Sequence, residues 1–256
     1  MPFPDAMDPQ EPADRFTQEQ DAFFERADEA HFAWQTEGPY FSGTEAALLE
    51  AVARTGRLLE IGCGEGGNLF HLRDRATQPA GIDRSHDKLR FARGRLPRAW
   101  LVRADATALP MREGAFDALL IRDLLHHLPD RGLALREARR VLKPDATITV
   151  IEPNGKSPLV WLQGALVAEE RLAWRSTGRR LLDDLLAAGF SDPTLAARQA
   201  MPVHRVALHY RYGRPALGHS GGMRRLFDGV EAMAQRLLPK AAWLYLIAHA
   251  RCTPAP

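Results

Sequence analysis

The sequence predicts an α/β fold built on a doubly wound parallel sheet. From about residue 44 to residue 190, short apolar segments of strand type alternate with segments of helical periodicity, and this alternation is typical of parallel sheets. The strand segments are apolar throughout, as expected for strands that helices cover on both faces. A glycine-rich loop directly follows the first of them, where folds of this class bind nucleotides.

Seven segments are predicted to be strands. Five belong to the alternating region, a sixth should follow it, and the seventh is an aromatic and β-branched run near the C-terminus. In order, they span residues 57–61, 79–82, 99–103, 118–121, 146–151, 194–197 and 243–250. Together they predict a seven-stranded sheet.

The predicted helices have explicit start and stop signals. Ser85 is placed to cap the helix that follows the second strand. A helix over residues 133–142 should end before Pro144, because the residue preceding a proline is excluded from the α region. A further helix over residues 177–188 should end at Gly189, the residue type that favours the left-handed conformation after a helix.

Length and composition are compatible with one large domain. The 256 residues, of which 45% are hydrophobic, are enough for a substantial core. We expect residues 1–43 to form an acidic, partly disordered segment that includes a lid helix, and residues 44–256 to form the main domain. The longest strongly apolar stretch, residues 159–168, is about half of the roughly 20 residues that cross a bilayer.

The N-terminus and the cysteines indicate the compartment. The first residues are acidic and proline-rich, without the basic start and apolar run of a signal peptide. Cys63 and Cys252 are the only cysteines, which provides neither a disulfide framework nor a four-cysteine zinc site. We therefore expect a cytoplasmic protein.

Charge is distributed unevenly along the chain. Residues 1–30 contain nine acidic residues and two arginines, whereas residues 193–227 contain no acidic residue. The arginines of the second stretch are Arg198, Arg205, Arg211, Arg214, Arg224 and Arg225. Such a stretch indicates an anionic partner, a solvated basic face, or a face that pairs with the acidic N-terminus.

The loop after the first strand is the most specific local feature. Residues 58–67 read LLEIGCGEGG, so an apolar strand runs through Glu60 into a turn with three alternate glycines. Gly62, Gly64 and Gly66 have no Cβ, which permits positive φ and close approach of backbone amides to a ligand. The loop predicts a nucleotide-type cofactor without specifying which one.

Further motifs follow this loop in an order that resembles the class I S-adenosylmethionine-dependent methyltransferases. The resemblance covers about residues 40–200. Within the family, the sequence is similar to the small-molecule and lipid-modifying branch, which includes the type 11 methyltransferases. About six motifs in order are far more specific than the glycine loop alone. They are Glu60 with Gly62, Gly64 and Gly66; Gly81-Ile82-Asp83-Arg84-Ser85; Arg103-Ala104-Asp105-Ala106, followed by Leu109-Pro110-Met111; Gly114-Ala115-Phe116-Asp117; Leu125-His126-His127-Leu128-Pro129-Asp130; and Glu137 to Pro144.

The resemblance implies a Rossmann-like, doubly wound seven-stranded sheet, mostly parallel with an antiparallel last strand. It also implies an N-terminal helical lid, a helical insertion before the last strand, and S-adenosyl-L-methionine as the cofactor. The activity that it implies is methyl transfer.

The resemblance also assigns roles at the cofactor site. Asp83 would accept hydrogen bonds from the ribose hydroxyls, and Asp105 one from the adenine amino group. Glu60 would attract the ammonium and sulfonium of the methionine end, whereas the pyrophosphate of NAD would be repelled there. The full predicted set is Glu60, Gly62, Cys63, Gly64, Gly66, Asp83, Arg84, Asp105, Ala106 and Arg122.

Three members of that set have more modest roles. Arg84 would cover the adenine face, and Cys63 would fill space in the loop. Arg122, just past the fourth strand, would lie near the methionine end, or else be a surface arginine that caps the strand.

Methyl transfer from a sulfonium is an in-line displacement, so positioning the nucleophile in a dry pocket supplies much of the acceleration. A base is needed only when the nucleophile keeps its proton. His127 and His126 are the candidate bases, and the alternative is that this pair positions a loop. No ordered Asp/Asn triplet for magnesium is present, so no metal is predicted.

The acceptor should be recognised outside the core. Insertions at about 154–175 and 202–240 are expected on the substrate side, and residues 16–40 carry the aromatic set Phe23, Phe24, Phe32, Trp34 and Tyr40, which packing alone would also explain. Apolar residues 159–162 favour a small-molecule or amphiphilic acceptor, methylated on oxygen or carbon. They are also compatible with a peripheral membrane contact.

Two other functions stay open. An RNA methyltransferase would use the basic 198–225 region to bind phosphates. However, the fifth strand ends in Glu152-Pro153-Asn154 and not in an Asn/Asp-Pro-Pro-Tyr motif, so nucleic acid is disfavoured. The other alternative is a non-catalytic binding protein with the same cofactor fold. The sequence assigns no oligomeric state.

Overall fold

The computed structural model describes residues 25–166, 168–211 and 213–253. Its strands are β1 (Thr55–Ile61), β2 (Ala76–Asp83), β3 (Trp100–Arg103), β4 (Phe116–Arg122), β5 (Leu142–Pro153), β6 (Ser191–Arg198) and β7 (Tyr245–Arg251). Its helices are α1 (Glu29–Thr36), α2 (Phe41–Leu48), α3 (Gly67–Leu72), α4 (His86–Arg95), α5 (Arg131–Val141), α6 (Pro158–Leu166), α7 (Gly178–Ala187), α8 (Val203–Ala207) and α9 (Gly221–Leu237). Short 3-10 segments span Leu49–Ala51, Leu125–His127, Ala168–Arg175, Pro215–His219 and Lys240–Ala242.

The seven strands form one sheet in the order β3-β2-β1-β4-β5-β7-β6. β1 pairs in parallel with both β2 and β4, and β7 runs antiparallel between β5 and β6. This confirms the predicted mostly parallel sheet with an antiparallel last strand. The strand order reverses between β1 and β4, and the crevice at the carboxyl ends of these strands is where such sheets bind ligands.

The strand boundaries differ from the predicted ones mainly in length. β5 begins at Leu142, so Pro144 lies inside the strand that follows α5, and the helix ends one residue earlier than predicted. β7 begins at Tyr245, two residues later than predicted, because Trp243 and Leu244 belong to the preceding connection. Each of the seven predicted segments overlaps one of the strands.

Capping explains where the helices begin. The Ser85 hydroxyl accepts a hydrogen bond from the backbone N–H of Lys88 at 3.1 Å, as predicted for the start of α4. Thr177 caps α7 in the same way, and Gly189 after that helix has a φ of 87°. The sequence predicts these helix ends because a capping residue and its hydrogen-bond partner lie within one helical turn.

Alternate residues of the strands face two separate cores. Leu59, Ile61 and Leu119 pack with α5 and α7 on one face of the sheet. Leu58 and Leu120 pack with α2 and α3 on the other. Since both faces are covered, the central strands are fully buried and hold their carboxyl ends rigidly.

The N-terminal helices and the insertion before β7 pack against each other. Phe41 of α2 forms a cluster with Leu208 and with Phe227 of α9, and the Trp34 ring stacks on Phe41 at a centroid distance of 3.8 Å. Phe32 of α1 packs edge-on against two phenylalanines of the main domain, Phe70 and Phe91. The predicted aromatic set is therefore used for packing where it is described, while Phe23 and Phe24 lie outside the described residues.

The insertion after β5 leaves large apolar side chains at the surface. Trp161, Leu162 and Trp174 are 51%, 56% and 49% exposed, respectively. α6 is only nine residues long. Among the described residues, no helix is both long enough and apolar enough to cross a bilayer.

Candidate functional site

The glycine loop lies at the carboxyl end of β1. Gly62, Gly64 and Gly66 have φ values of 77°, 51° and 85°, the positive φ that the sequence predicts. A Cβ at Gly62 would lie 3.0 Å from Cδ2 of Leu124, a residue of the turn after β4. The loop therefore needs glycine at this position both for its conformation and for its contact with the neighbouring turn.

Asp83 ends β2 beside this loop. Its carboxylate accepts hydrogen bonds from the backbone N–H groups of Gly64, at 2.8 Å, and Ser85, at 2.9 Å. These two bonds fix the carboxylate between the glycine loop and the start of α4. Because a carboxylate has about four acceptor positions, Asp83 retains capacity for the hydroxyls of a ligand.

Glu60 is fully buried in β1, immediately before the loop. Its Oε1 accepts a hydrogen bond from Asn68 Nδ2 at 2.6 Å, whereas its buried Oε2 accepts none from the described residues. Burial raises the pKa of this carboxyl group to about 8. A buried carboxyl oxygen that lacks a hydrogen bond fits the cationic end of a ligand such as S-adenosylmethionine.

The end of β3 brings Asp105 to the same edge as Asp83, because the two strands are neighbours in the sheet. Asp105 is exposed, and its Oδ1 accepts hydrogen bonds from the Thr107 hydroxyl and backbone N–H, which lower the pKa of the carboxyl group. Arg84 is also exposed, whereas Ala106 is buried. Cys63 is buried against Gly81, where a Cβ would lie 2.7 Å from its sulfur, in agreement with a space-filling role.

Arg122, at the end of β4, is buried, so the alternative of a surface arginine is wrong. Its guanidinium contacts Glu45 of α2 at 2.5 Å and donates to Asn68 Oδ1 at 2.9 Å. Asn68 also donates a hydrogen bond to Glu60, so Asn68 connects Arg122 to the carboxyl group of Glu60.

Glu45 joins Arg122 to the insertion before β7. It is 2% exposed and also pairs with Arg205 of α8, whose guanidinium lies over the rings of Phe41 and Tyr245. Burial alone would raise the pKa of Glu45, but the two guanidiniums outweigh burial and lower it to about 2. The ionised Glu45 therefore links β4, α2 and α8 through buried charges.

The two candidate bases lie in the 3-10 turn after β4. His126 is buried, with Nδ1 2.7 Å from Glu152 Oε2 and Nε2 3.5 Å from Glu170 Oε2. Burial opposes the charged imidazolium, but the two carboxylates outweigh it and raise the pKa of His126 to about 10. Burial and the neighbouring His126 lower the pKa of His127 to about 4. Both ring nitrogens of His126 face carboxylates inside the turn, and this geometry favours the loop-positioning alternative over a general base.

Glu152, at the end of β5, organises this turn. It is fully buried and accepts hydrogen bonds from the backbone N–H groups of Leu124 and Leu125, at 3.0 and 2.8 Å. Sequence reasoning did not assign it a role. A signal was present, because Glu152 is an acidic residue at the end of an apolar strand, as Glu60 and Asp83 are.

A family model for a methyltransferase domain matches residues 59–150, which run from β1 into β5 and include the glycine loop, Asp83, Asp105 and the histidine pair. The chain contains a class I S-adenosylmethionine-dependent methyltransferase domain. Its cofactor is S-adenosylmethionine. The residues that hold the cofactor stay a prediction, since the match does not test them one by one.

Known relatives of the methyltransferase domain act on small molecules. Over 112 residues, the chain is 33% identical to demethylmenaquinone methyltransferase of Lactiplantibacillus plantarum, with 40% of this chain and 47% of the relative covered. Over 93 residues, it is 40% identical to fatty-acid O-methyltransferase of Mycolicibacterium smegmatis, with 34% of each protein covered. The chain thus spans about half the length of its curated relatives or less.

Solved structures share the fold of the methyltransferase domain. One is phosphoethanolamine N-methyltransferase 2 of Haemonchus contortus, solved with phosphomonomethylethanolamine and S-adenosylhomocysteine. It superposes with a TM-score of 0.63 at 17% identity, covering 94% of this chain and 61% of that protein. At 17% sequence identity, the structural similarity shows that the two proteins share a fold, and it does not identify the acceptor of this chain.

Part of the basic stretch, residues 193–227, forms internal ion pairs. Arg205 pairs with Glu45, and Arg211 pairs with Asp28 just before α1 at 2.9 Å. Arg224 and Arg225 lie exposed on α9. Arg211 therefore pairs with the acidic N-terminal stretch, as one interpretation of the charge pattern predicts, whereas Arg205 pairs with Glu45, which lies outside residues 1–30.

Proposed function

We propose that the protein transfers the methyl group of S-adenosylmethionine to oxygen or carbon of a small-molecule or lipid-like acceptor with an apolar body. The arrangement of Glu60 and Asp83 on either side of the glycine loop carries the first part of this proposal. The relatives that act on demethylmenaquinone and on fatty acids support the second. Exposed Trp161, Leu162 and Trp174 on the insertion after β5 also favour an apolar acceptor.

The cofactor supplies an electrophilic methyl group, and the chain supplies position and charge. Glu60 would hold the cationic methionine end, because a positive charge beside its buried oxygen lowers the pKa that burial has raised and favours the carboxylate. Asp83 would hold the ribose hydroxyls, while Asp105, Ala106 and Arg84 would surround the adenine at the ends of β2 and β3. Each of these roles follows the predicted set.

The turn after β4 would form the acceptor side of the pocket. Both ring nitrogens of His126 face carboxylates, so this side chain is held inside the turn and does not extend towards an acceptor. A nucleophile that arrives ionised, such as a carboxylate, needs no side-chain base. In that case, excluding water and aligning the acceptor oxygen with the methyl group are the main tasks of the pocket.

The test is methyl incorporation from S-adenosylmethionine labelled in its methyl group. The purified protein would be incubated separately with a long-chain fatty acid, a hydroquinone and total RNA, with Asp83→Asn as the matched low-activity variant. We expect label in an apolar small molecule and none in RNA. Label in RNA would support the RNA methyltransferase alternative, and cofactor binding without transfer to any acceptor fraction would support the non-catalytic one.

A further inference from the structure

A second set of ligand-type side chains lies in the turn after β4, apart from the predicted cofactor residues. The imidazoles of His126 and His127 and the carboxylate of Glu170 each place one ligand atom within 4.8 Å of the other two. The histidines belong to the 3-10 segment Leu125–His127, and Glu170 belongs to the 3-10 segment Ala168–Arg175. The three side chains thus come from two connections of the sheet, the turn after β4 and the insertion after β5.

His126 is oriented as a metal-binding histidine would be. Its Nδ1 contacts Glu152 Oε2 at 2.7 Å, which fixes the ring and directs Nε2 towards Glu170. That Nε2 is buried, and the carboxylate oxygen that it faces, Glu170 Oε2, lies 3.5 Å away. A carboxylate that holds the far nitrogen of an imidazole is the usual second layer around a bound metal.

The spacing and the donor types fit a transition metal. His126 Nε2 and Glu170 Oε2 are 3.5 Å apart. Two ligands at about 2.1 Å from a tetrahedral zinc ion are roughly 3.4 Å from each other. Two imidazoles and one carboxylate suit Zn²⁺ and related ions, and three protein ligands leave a fourth position open, as in catalytic zinc sites.

The charges at this place also favour a dication. Glu152 and Glu170 contribute two carboxylates, and neutral imidazoles contribute none. Glu152 is fully buried, so a compensating positive charge must lie within the cluster or next to it. A dication in this cluster would balance both carboxylates.

We propose that His126, His127 and Glu170 bind a divalent transition-metal ion, for which Zn²⁺ is the best match. The sequence predicts no metal, because it shows no ordered Asp/Asn triplet, and this cluster joins His127 to Glu170, 43 positions further along the chain. The turn that carries the histidines contacts the glycine loop through Leu124. The ion would bind an anionic oxygen of the acceptor there, a role that rests on the proposed function.

The experiment is a metal titration of the full chain after treatment with a chelator. Zn²⁺ binding would be measured by competition with a chromophoric chelator, and Co²⁺ binding by its visible absorption, which reports tetrahedral coordination by nitrogen and oxygen. We expect one equivalent to bind, and Glu170→Gln and His127→Gln each to weaken binding by at least about 100-fold. His86→Ala is the matched control, because it removes an exposed imidazole that also lies beside a carboxylate, Asp87, at 3.8 Å.

The alternative is an ion pair between a protonated His126 and its two carboxylates, and the same titration separates the two. Less than one equivalent of Zn²⁺ in the wild type, or equal affinity in wild type, Glu170→Gln and His86→Ala, would overturn the proposal. Circular dichroism and S-adenosylmethionine calorimetry on each variant show that it is folded. These measurements need no acceptor. The proposal of a metal site can therefore be refuted without refuting the proposal of methyl transfer, and methyl transfer can be refuted without refuting the metal site.

Discussion

The carboxyl edge of the sheet has two halves that are built in different ways. In the half formed by β1, β2 and β3, which we call the cofactor half, the fixing bonds are local: Asn68 is 8 residues from Glu60, and Gly64 is 19 from Asp83. In the half formed by β4 and β5, which we call the acceptor half, Glu45 reaches Arg122 over 77 residues and Arg205 over 160. Local motifs can hold a common cofactor, whereas long-range ion pairs tie the acceptor half to the insertions.

The largest expected effect is on the acceptor half. Glu45→Gln leaves Arg122 and Arg205 without their shared carboxylate, and removing one partner of a buried ion pair costs about 3–5 kcal/mol. Urea unfolding should show this loss in the free energy of unfolding. The matched control is Glu50→Gln, an exposed carboxylate five residues further on, for which a change within about 0.5 kcal/mol is expected. Equal effects of the two variants would contradict a charge-linked acceptor half.

The next effect is on the cofactor half. Asp83→Asn replaces the carboxylate that is predicted to accept the ribose hydroxyls, and a hydrogen bond to a charged group contributes about 1.5–3 kcal/mol. We therefore expect S-adenosylmethionine to bind about 10- to 100-fold more weakly, measured by calorimetry. Asp74→Asn, at an exposed carboxylate before β2, should bind the cofactor as the wild type does. An unchanged dissociation constant for Asp83→Asn would remove Asp83 from the predicted set.

A third effect concerns pH and Glu60. Its pKa is about 8 in the folded state and has its ordinary value near 4.5 in the unfolded state, so between these values the unfolded state binds fewer protons. The free energy of unfolding should therefore fall as pH rises from about 5 to 8, and Glu60→Gln should remove this fall, because a glutamine side chain does not titrate. Urea titrations at several pH values would measure it. Parallel pH profiles of wild type and variant would show that burial does not hold the proton on Glu60.

The smallest effect is expected at the exposed arginines of α9. The double variant Arg224→Gln/Arg225→Gln should change the free energy of unfolding by less than about 0.5 kcal/mol and leave cofactor affinity unaltered, because both residues lie at the surface. If the basic stretch bound RNA phosphates, the same variant would lower the salt dependence of RNA binding by about two phosphate contacts. A filter-binding series in salt distinguishes these outcomes.

The two halves also differ in how far the sequence predicts them. The glycine loop, Asp83 and the Ser85 cap were identifiable because each acts on backbone within about one supersecondary unit. The burial of Arg122 was not identifiable from the sequence, since it depends on Glu45 of α2 and on packing against Tyr245. The same holds for His126, whose environment is set by Glu152 and Glu170 on other segments. Side-chain charge in a folded protein depends on such distant partners, which a linear motif does not contain.

The aromatic residues of the N-terminal segment show the same limit. Trp34 and Phe32 have the composition of a lid over an apolar ligand, but each is paired with other rings, Trp34 with Phe41 and Phe32 with Phe70 and Phe91. Composition indicates that a segment will bury apolar area, and it does not indicate against which surface.

The place of β7 in the sheet has a consequence for protein synthesis. β6 pairs only with β7, and β7 separates it from β5, yet β7 is the last of the seven strands along the chain. At about 5–20 residues per second, the ribosome adds the roughly 50 residues between β6 and β7 over several seconds. During that time β6 has no strand to pair with, while β1 to β5 can already assemble. The part of the sheet from β1 to β5 can thus fold on the ribosome before β7 is made and before β6 can join the sheet.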